Sequence, residues 1–163
     1  MKRVYAGELS RADVGREVRL QGWVHRRRDL GGLIFLQIRD RSGVVQVVVR
    51  PDEQPQVASA VEDVRLEWVV EIDGEVSTRE PEAVNPEMPT GEIEVVAVRA
   101  EILARSSPLP FAIEAKAEAS EETKLRYRFL DLRRPELQQN LILRHRVTME
   151  TLRYFDEQGF LHL

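Results

Sequence analysis

The 163-residue sequence predicts a mainly β fold, in which five strands close into a small barrel with one helix between strands 3 and 4. Apolar and polar residues alternate along residues 18–50, and this period of two is typical of half-buried strands. Two turn sequences, DLGG at residues 29–32 and DRSG at residues 40–43, divide this region into three strands. We therefore expect two consecutive hairpins at the start of the barrel.

One aromatic side chain falls on the polar side of these strands. The alternation predicts that Phe35 points outward, next to Gln37 and near several arginines. A surface of this composition is suited to stack an unpaired base, read its edge and neutralise its phosphates. The alternative is a second layer of structure that covers the ring. The predicted outward positions are Arg19, Gln21, Trp23 and His25, then Phe35, Gln37 and Arg39, then Gln46, Val48 and Arg50.

The following residues complete the barrel. A short helix is predicted at 54–64, a fourth strand through 68–76, a proline-rich loop at 80–91 and a fifth strand at 92–103. Five strands with a helix between the third and fourth form the arrangement of the OB-fold. The expected organisation is an OB-fold domain at 1–105, a hinge at 106–124 and the start of a truncated α/β domain at 125–163.

Pro135 and Gly159 bracket a predicted helix of roughly 23 residues. Proline is tolerated in the first helical turn, and glycine is favoured just after the last one. The apolar side chains between them occupy more than one stripe, so this helix requires partners on two sides. Such a helix is expected to open a larger domain.

Charge is distributed unevenly along the chain. The net charge is −4 overall, but it is +6 over residues 1–50, −11 over 51–120 and +1 over 121–163. The basic charge therefore coincides with the strands around Phe35, as expected for a surface that binds RNA. The absence of cysteine excludes disulfides and thiolate metal sites, and the three histidines have no ligand-pair spacing. Without a long apolar run or an apolar leader, we expect a cytoplasmic protein.

Three runs of sequence closely resemble bacterial-type aspartyl-tRNA synthetases, which are class II aminoacyl-tRNA synthetases. They are GWVHRRRDLGGLIFLQIRDRSGVVQVV at residues 22–48, TGEIEV at 90–95 and LRYRFLDLRRPE at 125–136. The resemblance extends in order over essentially all 163 residues. It implies an OB-fold domain that binds the tRNA anticodon, a hinge that contacts the tRNA, and the first helix of a class II synthetase domain.

The resemblance also implies roles for individual residues. Phe35 corresponds to the aromatic residue that stacks on the central anticodon base, and Gln46 to the amide that reads the edge of that base. Arg28 approaches the same region, where its planar guanidinium suits a phosphate or a base. Glu94 corresponds to a carboxylate that accepts from the first anticodon base, although a solvated strand charge is the alternative.

Other predicted contacts lie outside this group. Arg79 and Asn85 correspond to positions near the third anticodon base. For the arginines of residues 126–134, ion pairs with Asp131 and nearby acids are the alternative to tRNA contact. The further tRNA contacts predicted are Arg26, Arg27, Arg126 and Arg128.

The resemblance implies an aspartate–tRNA ligase as the parent protein, which uses ATP and Mg²⁺ to form an aspartyl-adenylate and then charges tRNA. This chain lacks the ATP and aspartate sites, so we expect no catalytic residue, metal or cofactor in it and no activity from it alone. The expected RNA partner is aspartate-accepting tRNA, and asparagine-accepting tRNA is a second possibility. The expected protein partner is a second copy of the parent, which would form a homodimer through residues 135–163. We expect no membrane or DNA partner.

Two other functions are compatible with the barrel. A stand-alone OB-fold module would bind single-stranded nucleic acid without regard to anticodon sequence. An interaction module would instead use Phe35 in a protein interface and would show no salt-dependent RNA binding.

Overall fold

The computed structural model describes residues 2–113 and 119–162, and the chain forms two compact units, residues 1–108 and 109–163. The first unit is a closed barrel with the strand order β1-β2-β3-β5-β4. β1 pairs with both β2 and β4, while β3 and β5 run parallel. This arrangement confirms the predicted OB-fold. The strands are β1 (Glu17–Leu30), β2 (Leu33–Arg39), β3 (Val44–Val49), β4 (Val69–Thr78) and β5 (Ile93–Ala104), and α1 (Pro55–Val61) follows β3.

The inward rows of the strands fill the barrel, as the alternation predicts. Leu20, Leu36 and Ile72 are fully buried in one apolar cluster, and α1 adds Val57 and Val61 to it. Removing this apolar surface from water is the main stabilising contribution to such a fold.

A two-residue turn joins β1 to β2. Gly31 and Gly32 have φ values of 61° and 79°, so both occupy the left-handed region that only glycine adopts freely. Two consecutive positive φ values belong to the turn whose twist matches that of a hairpin. Leu30 and Leu33 are consequently paired directly at the end of the hairpin.

Val48 faces outward as predicted, but it is not exposed. It is aligned with Phe35 on β2 and with Val96 on β5, and it is almost completely buried without belonging to the central apolar cluster. Val48 therefore lies on the predicted face but is buried there, between two neighbouring strands.

The described residues of the second unit include three helices. Ser120 caps α2 (Glu121–Arg126), α3 (Arg128–Asp131) follows, and α4 (Pro135–Glu157) has 23 residues. Gly159 follows α4 with a φ of 82°. Both the length of α4 and its limits agree with the prediction. No residue of α4 is buried, and several of its large apolar side chains are exposed, as expected for a helix without its partners.

Candidate nucleic-acid interface

A β-bulge in β1 aims the arginines of the candidate site. Val24 is aligned with Ile38 and Arg26 with Gln37, so His25 is an extra residue in β1. An extra residue reverses the alternation beyond it. As a result Arg26 shares the outer face with Gln37, and Arg28 shares it with Phe35.

These side chains surround a cavity of about 300 Å³ on the outer face of β1, β2 and β3. The ring of Phe35 is half-buried and lines the cavity, so no second layer within the described residues seals it from solvent. The cavity unites four of the predicted site residues on one surface. Its lining consists of Arg26, Arg28, Leu30, Phe35, Gln37, Gln46 and Ala83.

A carboxylate holds the amide of Gln46 in a fixed orientation. Gln46 Nε2 donates to Glu94 Oε2 over 3.0 Å. Because a carboxylate only accepts, the amide nitrogen must face Glu94, and Gln46 Oε1 is left as an acceptor for another group. Glu94 itself is half-buried on β5. The structure thus connects Glu94 to the cavity through Gln46.

Arg79 lies behind this pair rather than in the cavity. Its side chain is buried, and Nε donates to the carbonyl oxygen of Ile93 over 2.8 Å. Burial lowers the pKa of Arg79, while the negative charge of Glu94 opposes this change. In this structure Arg79 therefore braces the start of the loop that precedes β5 and places positive charge near Glu94.

The loop containing Asn85 is folded tightly against itself. Asn85 Oδ1 accepts from the backbone of Glu87, and the Asn85 backbone N–H donates to the carbonyl of Gly91. A Cβ at Gly91 would lie 1.8 Å from the Asn85 carbonyl oxygen, so only glycine fits. Thr90 Oγ1 joins the loop to β3 through the carbonyl of Val44 at 2.7 Å. The side-chain oxygen of Asn85 is engaged within the loop.

Three of the further predicted contacts have partners within the protein. Arg27 faces the opposite side of β1 from Arg26, and its Nη1 donates to the carbonyls of Val61 and Glu62 at the end of α1. In the second unit, Arg128 pairs with Asp131 at 2.7 Å, and the Arg126 guanidinium lies over the Tyr127 ring at 5.9 Å from its centroid. The ion-pair alternative therefore describes Arg128 in this structure.

A separate ion-pair network occupies β1, β4 and β5. Arg19 makes a forked contact with Asp73 at 2.7 and 2.8 Å, and Arg99 contacts Glu71 at 3.0 Å. The hydrogen bond from Arg19 lowers the pKa of Asp73, and the one from Gln21 lowers the pKa of Glu71. These carboxylates are already satisfied within the protein, which leaves the cavity around Phe35 as the candidate site of this unit.

Sequence reasoning did not predict two of the lining residues. Leu30 is 72% exposed at the end of the hairpin, and Ala83 belongs to the short 3₁₀ helix Pro81–Ala83 in the following loop. An apolar residue between Asp29 and the Gly31–Gly32 turn was a usable signal for Leu30. Nothing local marked Ala83, since a long-range fold contact brings it to the cavity.

Neither a metal centre nor a membrane helix is found in the described part of the chain. Residues 2–113 and 119–162 contain no cluster of three or more His, Asp or Glu side chains able to hold a metal ion. Over the same residues, no helix has the length and apolar character needed to cross a membrane.

Two family models match the chain. Residues 18–103 match the OB-fold nucleic acid binding domain, and residues 120–163 match the class II tRNA synthetases of the D, K and N type. The chain belongs to the OB-fold nucleic-acid-binding family whose members bind tRNA anticodons.

Similarity to individual proteins extends over nearly the whole chain. An aspartate–tRNA(Asp/Asn) ligase from Moorella thermoacetica is 53% identical over 154 residues, which cover 94% of this chain and 26% of that protein. An aspartate–tRNA ligase from Geobacillus kaustophilus is 46% identical over 159 residues, 98% of this chain and 27% of that protein. The predicted resemblance to aspartyl-tRNA synthetases is thus confirmed, and the chain spans about a quarter of these relatives.

A solved structure shows the same fold. Asparaginyl-tRNA synthetase from Pyrococcus horikoshii, complexed with asparaginyl-adenylate, matches all of this chain and 36% of its own, with a TM-score of 0.83 and 27% identity. The OB-fold barrel and the helical segment that follows it therefore occur in the same order along the chain as in a tRNA synthetase.

Proposed function

We propose that this chain is the anticodon-recognising part of an aspartate–tRNA ligase. The observation that carries the proposal is the cavity in which the Phe35 ring, the oriented amide of Gln46 and the Arg28 guanidinium converge. A ring for stacking, an amide for hydrogen bonding and a cation for phosphate are the three groups that reading of an unpaired base requires. The similarity to aspartate–tRNA ligases along the whole chain supports the same conclusion.

The central anticodon base stacks on Phe35 and is read by Gln46. The aspartate anticodon has uridine at its centre, and the edge of uracil presents an N3–H donor flanked by acceptors. Gln46 Oε1 accepts from N3–H, because the hydrogen bond that one N–H of Nε2 donates to Glu94 fixes which atom of the amide is the oxygen. The second hydrogen of Nε2 donates to a uracil carbonyl. Stacking contributes about 1–3 kcal/mol for each base.

The charged residues act around this contact. Glu94 accepts from the first anticodon base through the carboxylate that also orients Gln46, and Arg26 and Arg28 neutralise the phosphates of the loop. Arg79 contributes positive charge near Glu94, from a position fixed by its hydrogen bond to the Ile93 carbonyl. Asn85 lies near the third anticodon base, in the loop that is closed by the hydrogen bond between the Asn85 N–H and the Gly91 carbonyl.

The rest of the proposal concerns the parent protein. Residues 1–105 form the anticodon domain, residues 106–124 form the hinge, and residues 125–163 begin the catalytic domain. Part of the hinge lies outside the described residues. Arg126 contacts the tRNA there. ATP and Mg²⁺ serve the parent enzyme. We further propose a cytoplasmic homodimer, assembled through 135–163, whose substrate is aspartate tRNA and in a non-discriminating parent also asparagine tRNA.

Fluorescence anisotropy with an aspartate-tRNA anticodon stem-loop tests the proposal. The wild-type chain and Phe35→Ala are titrated at two salt concentrations, and a stem-loop with the central uridine replaced serves as the second RNA. Val98→Ala is the matched control, because Val98 is an exposed apolar residue on β5 outside the cavity. Phe35→Ala and the replaced base are each expected to weaken binding by about 1–3 kcal/mol, and Val98→Ala is expected to leave it unchanged.

Two other outcomes would contradict the proposal in different ways. Equal binding of both stem-loops would indicate a single-strand binder without anticodon specificity. No salt-dependent binding by the wild-type chain would favour the protein-interface function, since each phosphate contact should contribute about −0.7 to the slope of log affinity against log salt.

A further inference from the structure

We propose that Glu67 is a positioning residue for RNA binding, and that it acts by holding the β-bulge at His25. This inference rests on the proposed function, because it explains how the arginines of the cavity reach the RNA. The bulge turns Arg26 and Arg28 to the outer face. Without it, strict alternation from Val24 would turn Arg27 outward and the other two arginines toward the barrel.

Glu67 contacts the bulge region through its backbone and its side chain. The Glu67 backbone N–H donates to the Val24 carbonyl over 2.7 Å, directly before the extra residue. Glu67 Oε2 accepts from Arg39 Nη2 over 2.7 Å, and Arg39 Nη1 lies 3.0 Å from His25 Nδ1. The Arg39 guanidinium also lies over the Trp23 ring, 5.8 Å from its centroid. These contacts link the bulge to one residue: Val24 through the Glu67 backbone, and His25 through Arg39 and the Glu67 carboxylate.

Two unfavourable features coincide at Glu67. Its φ is 63°, a left-handed conformation that is uncommon for residues other than glycine, asparagine and aspartate. Its side chain is 6% exposed and that of Arg39 is 13% exposed, so the ion pair is largely removed from water. Buried pairs of this kind contribute little net stability, since desolvation offsets their attraction. Both features are explained if the function of the ion pair is to set the register of β1, and not to stabilise the barrel.

Glu67 cannot act by touching the RNA itself. The cavity is lined by Arg26, Arg28 and Phe35 but not by Glu67, whose carboxylate is directed to Arg39. Its effect must pass through the bulge to the arginines. Removing Glu67 should therefore weaken binding only to the extent that Arg26 and Arg28 contribute, so its effect should be smaller when Arg28 is already absent.

A double-mutant cycle of Glu67→Ala and Arg28→Ala tests this mechanism by anisotropy with the anticodon stem-loop. Alanine keeps the Cβ, so the backbone at residue 67 is not given the freedom of glycine. Each single variant is expected to weaken binding by roughly tenfold or more, and the double variant by clearly less than the product of the two effects, with the remainder due to Arg26. Glu67→Gln keeps an acceptor for Arg39 and is expected to restore most of the affinity.

A matched control separates positioning from general destabilisation. Asp73→Asn weakens a different ion pair of the same barrel, the forked contact with Arg19, away from the cavity, and should lower stability without changing RNA affinity. Additive effects of Glu67→Ala and Arg28→Ala, or an equal loss of affinity in Asp73→Asn, would overturn the proposal.

An NMR measurement on the free protein tests the role of Glu67 at the bulge without RNA. Its result does not depend on whether the proposed RNA binding is correct. In the free chain, Glu67→Ala should shift the amide resonances of Arg26 and Arg28 and accelerate their hydrogen exchange, whereas Asp73→Asn should not. Unchanged resonances would refute the role of Glu67, whether or not the wild-type chain binds the stem-loop.

Discussion

The contact between Gln46 and Glu94 predicts an unusual pH dependence for the variant Gln46→Glu. This change replaces the amide nitrogen that donates to Glu94 Oε2 over 3.0 Å with a carboxylate oxygen. Two unit charges at that separation repel by about 1.4 kcal/mol at the dielectric constant of water and by about 5.5 kcal/mol at an effective value of 20. Because Glu94 is only half-buried, the lower figure is the better guide.

The expected result is a loss of RNA affinity that acid partly reverses. The repulsion moves the introduced carboxylate away from Glu94 in the free protein, so returning it to the binding position costs up to about 1.4 kcal/mol, or about tenfold in affinity, and the lost amide contact adds to this. The nearby negative charge raises the pKa of the introduced carboxyl, so this group takes up a proton as the pH falls. Once protonated, it again donates to Glu94. A repulsion of about 1.4 kcal/mol raises a carboxyl pKa by about one unit, so affinity should increase between about pH 7 and about pH 4.5.

The assay is stem-loop anisotropy across this pH range, with two comparison variants. Gln46→Ala removes the amide without adding a charge, so it should bind weakly at every pH. The double variant Gln46→Glu/Glu94→Gln reverses donor and acceptor, removes the repulsion and should bind without the acid dependence. If Gln46→Glu has the same affinity at both ends of the range, the assigned orientation of the amide is refuted.

Three further predictions concern the barrel itself. The pKa of Asp73 is lowered in the folded state, chiefly by its hydrogen bond from Arg19. The ionised carboxylate therefore stabilises the fold above the usual carboxyl pKa, and this contribution is lost as the pH falls through the folded-state value. In urea unfolding, the decrease in stability from neutral to acidic pH should be smaller for Asp73→Asn than for the wild type. Gly91→Ala should push the Asn85 carbonyl away and lower the free energy of unfolding by about 1–3 kcal/mol. An unchanged melting temperature would contradict the close approach of Gly91 to that carbonyl. Arg27→Met should lower stability and leave stem-loop affinity intact, whereas a selective loss of affinity would assign Arg27 to the RNA.

The strand faces and the helix ends were predictable because they depend on neighbours in sequence. Side chains alternate across any strand, so residues 18–24 and 34–38 reveal which side is buried without knowledge of the partner strands. Pro135 and Gly159 limit α4 through their own backbone preferences. Phe35 and Gln46 were placed on one surface by the same local rule, together with the family resemblance.

Other features depended on residues far apart in the chain. Val48 follows the alternation yet is buried, and it is aligned with Val96 only because β3 pairs with β5. Arg79 lies in a loop sequence that reads as exposed, but the fold buries it against the carbonyl of Ile93. No local pattern reports such contacts, because burial is set by what packs against a residue.

The three arginines at 26–28 show most clearly the difference between what the sequence determines and what the tertiary structure determines. The sequence by itself determined a mainly β barrel, its inner and outer faces, and a basic, aromatic surface suited to RNA. Only the tertiary structure decided that Arg26 and Arg28 line the cavity while Arg27 holds the end of α1. The physical reason is the extra residue at His25, which reverses the period of two and which contacts from Glu67 and Arg39, distant in sequence, stabilise.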